Sequence, residues 1–134
     1  MDADALLSAA LTAIPRSQIA ALIDLPSGMF LAVQPPPDDT ATLDLFAASV
    51  KEIYAGDLAE GLQVTPVSPA ASASRVAPRI NVFLIAGDES LQVLVRMQAQ
   101  PNLVLAVCCP ASANIGMSLV KARYLAATAE IDGV

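Results

Sequence analysis

The sequence contains no histidine and no tryptophan, and aromatic residues make up only 4% of its 134 residues. Histidine is the most frequent general base of enzymes and a common metal ligand, so its absence excludes imidazole-based triads and histidine-based zinc sites. The 13 acidic residues fall at predicted caps, turns, loops and polar helix faces, where structural roles account for them. We therefore expect a protein that is not an enzyme and that holds no metal or cofactor.

Glycine-rich motifs and clusters of positive charge are missing as well. No G-x-x-x-x-G-K sequence occurs, so nothing indicates a phosphate-binding loop. The 7 basic residues are outnumbered by 13 acidic ones, which gives a net charge of -6, and they are spread from Arg16 to Arg123. Nucleic-acid-binding surfaces need clustered lysine and arginine. We expect no nucleic-acid partner.

Long hydrophobic runs are absent, although 55% of the residues are hydrophobic. No stretch approaches the roughly 18 to 20 apolar residues that a membrane span needs. The beginning, Met1-Asp2-Ala3-Asp4, is acidic where a signal peptide is basic, so we expect a cytoplasmic protein. The length predicts one domain over residues 1–134, and its apolar residues exceed what one small core covers. This excess predicts an oligomer.

The only two cysteines, Cys108 and Cys109, are adjacent. On a strand, neighbouring side chains point to opposite faces, so the two thiols are poorly placed to share a metal, and a disulfide between them is strained. We expect both to pack as small apolar residues. A redox role is the minor alternative, and fast alkylation of the folded protein would favour it.

The N-terminal part predicts a helix followed by a hairpin. Apolar residues recur at helical spacing before the first proline, and Asp2 or Asp4 can cap this helix. Strand patterns follow at residues 18–24 and 29–34. The turn between them contains Gly28 where the chain needs a positive φ.

A second helix is predicted after three consecutive prolines, with a cap among residues 38–40 and an end at Gly56. Its apolar face is formed by Leu43, Phe46, Ala47, Val50, Ile53 and Tyr54. Over residues 57–78 neither helical nor strand spacing persists, and small residues and prolines predict a loop. For a loop of this length we favour flexibility over a functional role.

Three strands and a closing helix are predicted for the C-terminal part. The strand patterns span residues 80–86, 91–97 and 103–109. The helix runs from residue 115 to about residue 131, Asn114 caps it, and Gly116 in its first turn is expected to allow a close approach to the sheet. Its apolar surface is broad, so either the sheet and the first helix cover it or a partner does.

This order of elements resembles the roadblock/LC7 family, which includes dynein light chains and bacterial partners of Ras-like GTPases. The most specific match is Leu103-Val104-Leu105-Ala106-Val107 followed by Ala113-Asn114-Ile115-Gly116-Met117, then Val120, Ala122 and Arg123. These residues are similar to the family's strand, short loop with Asn-apolar-Gly, and final helix. A weaker match, Ala21-Leu22-Ile23-Asp24 with Gly28-Met29-Phe30-Leu31-Ala32, looks like the family's first hairpin. The connection over residues 57–78 is longer than expected for a minimal member.

The resemblance implies an α+β fold in which a five-stranded antiparallel sheet carries the first and last helices on one face and the second helix on the other. It also implies a homodimer in which the second helices meet and the middle strands pair edge to edge. Residues 80–86 contain no proline or inward charge to protect a free edge, which is compatible with such pairing. The expected interface residues are Leu43, Phe46, Ala47, Val50, Ile53, Tyr54, Ile80, Val82 and Leu84.

The function implied by the resemblance is that of a dimeric regulator that binds a small Ras-like GTPase and modulates its nucleotide cycle. An arginine inserted into the GTPase is a minor variant, because nothing in the sequence aims Arg75, Arg79 or Arg96. The alternative is a structural dimerisation module of a motor or scaffold. A small-molecule sensor is the least favoured hypothesis, because the strands offer few polar groups to a pocket. Fold alone does not decide among them.

Overall fold

The computed structural model describes residues 1–56, Gly61 and residues 79–134. Its elements are α1 (Ala3–Ala13), β1 (Ile19–Asp24), β2 (Met29–Gln34), α2 (Thr40–Ala55), β3 (Val82–Ala86), β4 (Ser90–Arg96), β5 (Leu103–Pro110) and α3 (Ile115–Thr128). This order confirms the prediction. The predicted loop over residues 57–78 lies outside the described residues, apart from Gly61.

The five strands form one antiparallel sheet in the order β2-β1-β5-β4-β3. Pairing between β1 and β5, for example Ala21 with Ala106, joins the N-terminal hairpin to the three C-terminal strands. β5 is therefore central and buried, whereas β2 and β3 are the edges. The five-stranded antiparallel sheet is as predicted.

The sheet has a separate hydrophobic core on each face. α1 and α3 pack on one face, where Leu105 and Val107 of β5 point into the core. α2 packs on the other face, where Val104 and Ala106 point. Because side chains alternate along a strand, β5 supplies both cores at once. The predicted placement of the three helices is confirmed.

α1, α2 and α3 each begin at a residue whose side-chain oxygen accepts a backbone N–H of the first turn. Asp2 accepts from Ala5 at 2.7 Å in α1, and Asp39 accepts from Ala41 at 2.9 Å in α2. Asn114 Oδ1 accepts from the Met117 N–H at 2.9 Å in α3. Such caps contribute about 1 kcal/mol each. The caps predicted near Asp2, within residues 38–40 and at Asn114 are confirmed.

Two predicted element ends were wrong, and long-range side-chain hydrogen bonds lie at both. β3 begins at Val82 instead of Ile80, and the Ile80 carbonyl accepts from the Arg96 guanidinium. α3 ends at Thr128 instead of near Ile131. There, the Gln100 amide accepts from the Ile131 N–H at 2.7 Å and donates to its carbonyl at 2.8 Å.

Two glycines that the sequence singles out behave differently. Gly28 has a φ of 69°, which confirms the predicted turn. Gly116 is exposed, and a Cβ added there would meet only Asn114 Oδ1, at 3.5 Å. The expectation that Gly116 lets α3 approach the sheet was therefore wrong, since no sheet atom lies near that position.

Candidate interaction surface

The outer edge of β3 carries backbone groups that no strand of the described sheet pairs with. The Arg96 N–H donates to the Asn81 carbonyl at 2.8 Å, and the Gly87 N–H donates to the Ser90 carbonyl at 2.8 Å. In an antiparallel pair the bonded residues alternate, so the odd-numbered residues of β3 face β4. Val82, Leu84 and Ala86 therefore direct their N–H and C=O groups outward. This edge is a template for another strand.

The two edges of the sheet are covered to different extents. α1 and α2 both pack beside β2, whereas the extensive contacts of β3 are with β4. Leu84 is 42% exposed and Ile85 is 38% exposed. β3 contains no proline and no charged residue. Within the described part of the chain, β3 is the less protected edge.

The C-terminal half of α2 is fixed to β3 through Tyr54. The Tyr54 hydroxyl donates to the Asn81 carbonyl at 3.0 Å, and its ring lies edge-on to Phe83 with centroids 4.9 Å apart. The Arg96 guanidinium carbon lies 5.0 Å from the centroid of the same ring. Burial raises the pKa of the Tyr54 hydroxyl well above its usual value, and the Arg96 charge opposes this only in part. Tyr54 thus stays neutral and acts as a packing residue.

The predicted interface residues fall into three groups. Ala47, Val50 and Tyr54 are buried against the chain's own sheet, so they position α2 and are not open to a partner. Three residues of α2 and two of the β3 segment are half-buried: Leu43, Phe46, Ile53, Ile80 and Val82. Leu84 is exposed at the edge. The single chain does not test whether these residues meet a partner, so the interface stays a prediction.

Val82 and Leu84 also differ from the α2 residues in the face they occupy. Leu84 pairs with Val93, whose side chain belongs to the core under α1 and α3. Phe83 pairs with Leu94, which belongs to the core under α2. The α2-side surface at this edge is therefore formed by Phe83 and Ile85, not by Val82 and Leu84.

Sequence reasoning missed three apolar residues on this side of the molecule. Leu45 is 68% exposed on α2, Ile85 is 38% exposed on β3, and Phe83 of β3 is half-buried. Strict alternation along residues 80–86 would have separated the two faces of β3. The sequence pattern gave less indication for Leu45, because a single apolar residue on the otherwise polar side of α2 does not form a pattern.

A second apolar surface lies on α3. Met117, Val120 and Tyr124 recur at helical spacing and are exposed, and Tyr124 is 66% exposed. The sheet and α1 cover the opposite side of the helix, where Ala122 and Ala126 are buried. The described part of the chain therefore covers only one side of α3, as the first of the two predicted explanations has it, and leaves the other side exposed.

The two cysteines lie in β5, and neither forms a disulfide. Cys109 is buried in the core beneath α1 and α3, and Cys108 is half-buried. Burial raises the pKa of the Cys108 thiol to about 11, and the adjacent Cys109 adds to the shift. Burial also raises the pKa of the Cys109 thiol. Both thiols are therefore weakly nucleophilic at neutral pH.

Among the described residues, no three histidine, cysteine, aspartate or glutamate side chains gather as a metal site. In the same part of the chain, no helix is both long and apolar enough to cross a membrane.

Solved structures share this arrangement of helices and strands, and one of them carries the roadblock/LC7 name. The roadblock/LC7 domain from Streptomyces avermitilis superposes with a TM-score of 0.70 at 19% identity, over 94% of this chain and 92% of that one. Gliding protein MglB from Thermus thermophilus gives 0.66 at 18% identity, over 92% and 82%. A structure described as MglB with a tetrameric arrangement gives 0.66 at 19% identity, over 92% and 81%. The chain therefore has the roadblock/LC7 fold.

The similarity is one of structure and not of sequence. No protein-family model matches this sequence, and no curated protein is significantly similar to it. This agrees with the apolar and degenerate character of the sequence motifs, in which many residue combinations satisfy the same buried positions.

Proposed function

We propose that this chain, which has the roadblock/LC7 fold, is a non-enzymatic homodimer that binds a small Ras-like GTPase and modulates its nucleotide cycle. The observation that carries the proposal is the edge of β3 that no described strand pairs with, next to the C-terminal half of α2, which Tyr54 joins to it. A second copy that pairs along this edge satisfies the outward backbone groups and covers Phe83 and Ile85 in one step.

A twofold axis through the middle of β3 gives the simplest pairing. β3 has five residues with Leu84 at its centre, and the backbone of Leu84 points outward. Antiparallel pairing of two copies then places the two Leu84 residues opposite each other and joins the sheets into one of ten strands. The same axis brings the two α2 helices together on one face, in a self-complementary contact.

Support for the GTPase as partner comes from the fold and from the family it resembles. The roadblock/LC7 family includes bacterial partners of Ras-like GTPases, and two of the similar structures are MglB proteins. In this mechanism the chain supplies a surface and no reacting group, consistent with its lack of histidine. The dimer would present two copies of that surface, and binding would reshape the switch loops of the GTPase.

The decisive experiment combines an assembly measurement with a binding measurement. Sedimentation of the wild-type chain is expected to show a dimer. Leu84→Lys places two like charges opposite each other at the proposed axis and should give a monomer. Leu31→Lys is the matched control, because Leu31 is 46% exposed on the other edge strand, close to the 42% of Leu84. It should leave the dimer intact.

The binding arm uses Ras-like GTPases encoded in the same genome, loaded with GDP or with a transition-state analogue. In a pull-down assay, the wild-type chain should bind at least one GTPase and should prefer one of its two nucleotide states. It should also change the rate at which that GTPase hydrolyses GTP. Leu84→Lys should lose this effect and Leu31→Lys should keep it. Indifference to every GTPase in both states would refute the regulatory function, even if the dimer is confirmed.

The exposed side of α3 favours a second candidate function, a dimerisation module that attaches to a motor or scaffold. Met117, Val120 and Tyr124 lie on the far side of α3 from the sheet and away from the proposed β3 axis. A Val120→Glu variant separates the two functions. It should abolish scaffold attachment while leaving the dimer and any GTPase effect unchanged.

The proposal also places the protein in the cytoplasm. Adjacent free thiols in β5 are typical of a reducing compartment. Fractionation of the cells that produce the protein tests this part, and recovery of the chain outside the cytoplasm would contradict it.

A further inference from the structure

We propose that the groove between the start of β3, the end of β4 and α3 binds a small organic anion with two negative charges, carried by two carboxylates or by one phosphate. The groove has a volume of about 340 Å³ and is partly open to solvent. This size lies at the lower end of the range for small-molecule sites. The inference is independent of the proposed GTPase partner.

Three arginines from three parts of the chain line this groove. Arg79 precedes β3, Arg96 ends β4 and Arg123 lies on α3. The whole chain has only 7 basic residues and a net charge of -6, so the local charge is opposite to that of the molecule. The described lining contains no aspartate or glutamate.

Arg96 is held in a fixed position. Its Nε and Nη2 donate to the Ile80 carbonyl at 3.3 and 3.1 Å, and its Nη1 donates to the Pro101 carbonyl at 2.7 Å. A guanidinium has five N–H groups, so two remain that none of these carbonyls takes. The ring of Tyr54 lies against the same guanidinium. These contacts hold the guanidinium at the end of the sheet, on the side of Tyr54, so the exposed charges of the groove come from Arg79 and Arg123.

Arg79 and Arg123 are exposed at the rim and add charge to the same space. Burial lowers the pKa of Arg96 and the nearby Tyr54 opposes the shift, while the positive charge of Arg79 lowers that pKa further. Like charges held together without a counter-charge are unfavourable. An anion in the groove would relieve this repulsion and accept hydrogen bonds from more than one arginine.

Besides the arginines, the groove is lined by the polar Asn81 and Gln98 and by a group of apolar residues, and the apolar part favours an organic anion over an inorganic one. Val95 and Met97 supply the floor from the sheet, and Ala126 supplies the wall from α3. These surfaces offer no hydrogen bonds, so they suit the carbon skeleton of the ligand. Small acidic metabolites that carry two carboxylates, or a phosphate on an apolar group, have this chemistry. The hypothesis of a sensor, least favoured from the sequence, therefore regains support from arginines that lie far apart in the chain.

Calorimetric titration of the intact chain at fixed ionic strength tests the proposal. The probes are isophthalate, glutarate and phenyl phosphate, with inorganic phosphate for comparison. At least one organic probe should bind saturably and more tightly than inorganic phosphate. Amide NMR shifts should locate it near Gln98 and Ala127, which also line the groove.

Two variants remove rim charges without disturbing the fold. Arg79→Gln and Arg123→Gln should each weaken binding about tenfold, as expected for the loss of a charged hydrogen bond. Lys121→Gln is the matched control, because Lys121 is exposed on the same helix and does not line the groove. It should leave the affinity unchanged.

Several outcomes would overturn the inference. One is the absence of saturable binding by all three organic probes. Another is an equal loss of affinity in Lys121→Gln and Arg123→Gln, which would show a diffuse charge effect. Binding of a glutamate-rich peptide without binding of any small probe would assign the groove to a protein partner instead. None of these results depends on whether a GTPase binds.

Discussion

Two glycines of this chain differ in whether the backbone needs glycine. The backbone conformation at Gly28 favours glycine, whereas the position of Gly116 has room for a side chain. Gly28 has a positive φ, which side chains other than glycine adopt at a cost, and its added Cβ would lie 2.9 Å from Lys51 Cδ. Gly116 sits in the first turn of an exposed helix with an open position for a Cβ. The sequence distinguished the turn glycine by its neighbours but assigned Gly116 a contact that does not exist.

Alanine substitutions at these two glycines are expected to change stability in opposite directions. Gly28→Ala should lower the free energy of unfolding by about 1 to 2 kcal/mol because of its left-handed backbone. Gly116→Ala should raise it by up to about 1 kcal/mol, because alanine is the better helix former. Urea unfolding of both variants measures this. If Gly116→Ala lowers the free energy of unfolding, the result would support the close approach of α3 to the sheet and contradict the structure at this position.

The reactivity of Cys108 should follow its raised pKa of about 11. At pH 8 about one Cys108 side chain in a thousand is a thiolate, so iodoacetamide should react slowly with the folded protein and rapidly once it is unfolded. The rate should rise through pH 10 to 11. Cys108→Ser identifies the thiol that reacts, and rapid alkylation at neutral pH would contradict its burial.

The same thiol predicts a loss of stability in alkaline solution. The pKa of Cys108 is raised in the folded state, so the unfolded chain releases this proton at lower pH. The contribution of Cys108 is fully present below its unfolded pKa and is lost as the pH rises toward 11. Comparison of Cys108→Ala with the wild-type chain between pH 8 and 11 isolates this effect, since the variant lacks the titrating group.

At the scale of elements, periodicity predicted every described helix and strand, because each helix buries one face on the sheet and each strand alternates its side chains between the two faces. The errors lie where a distant side chain hydrogen-bonds to the backbone, as Arg96 does at Ile80 and Gln100 does at Ile131. Such contacts join residues more than fifteen positions apart, so no local pattern contains them. The same holds for the groove arginines, which appear scattered in the sequence and adjacent in the fold.

Proline substitutions in β3 provide a test of the outward-facing backbone. Leu84→Pro removes an N–H that no described strand accepts, so the chain should fold as a monomer with near wild-type circular dichroism. Ile85→Pro removes an N–H that, by the alternation along β3, bonds to β4, and it should lower stability markedly. Sedimentation and thermal unfolding compare the two. Equal effects of both variants on the fold would contradict the assigned alternation.

At the scale of the whole molecule, the sequence predicted that apolar surface would exceed what one chain covers. The structure locates this surplus on the outer side of α2, along β3 and on α3, at residues such as Leu45 and Tyr124. Composition alone indicated that apolar surface would be in excess but not where it would lie. Its location depends on which side chains of each helix and strand point away from the two cores. Residues already buried in the chain, such as Val50, could not be separated from exposed ones by helical spacing.

Self-association would couple the stability of the fold to protein concentration. For a dimer that pairs through β3, the melting temperature should rise as the chain is concentrated, because mass action favours the associated folded state. The monomeric variant Leu84→Lys should melt at one temperature throughout the dilution series. A wild-type melting temperature that does not change with concentration would contradict the dimer.

Val82 belongs both to the lining of the groove and to the exposed edge of the sheet. A metabolite and a twin subunit would therefore touch the same short stretch of polypeptide, and their equilibria would be linked. Thermodynamic reciprocity requires that the factor by which the metabolite shifts pairing equal the factor by which pairing shifts metabolite affinity. In that case the fraction of paired subunits would change with the concentration of the small acid in the cell.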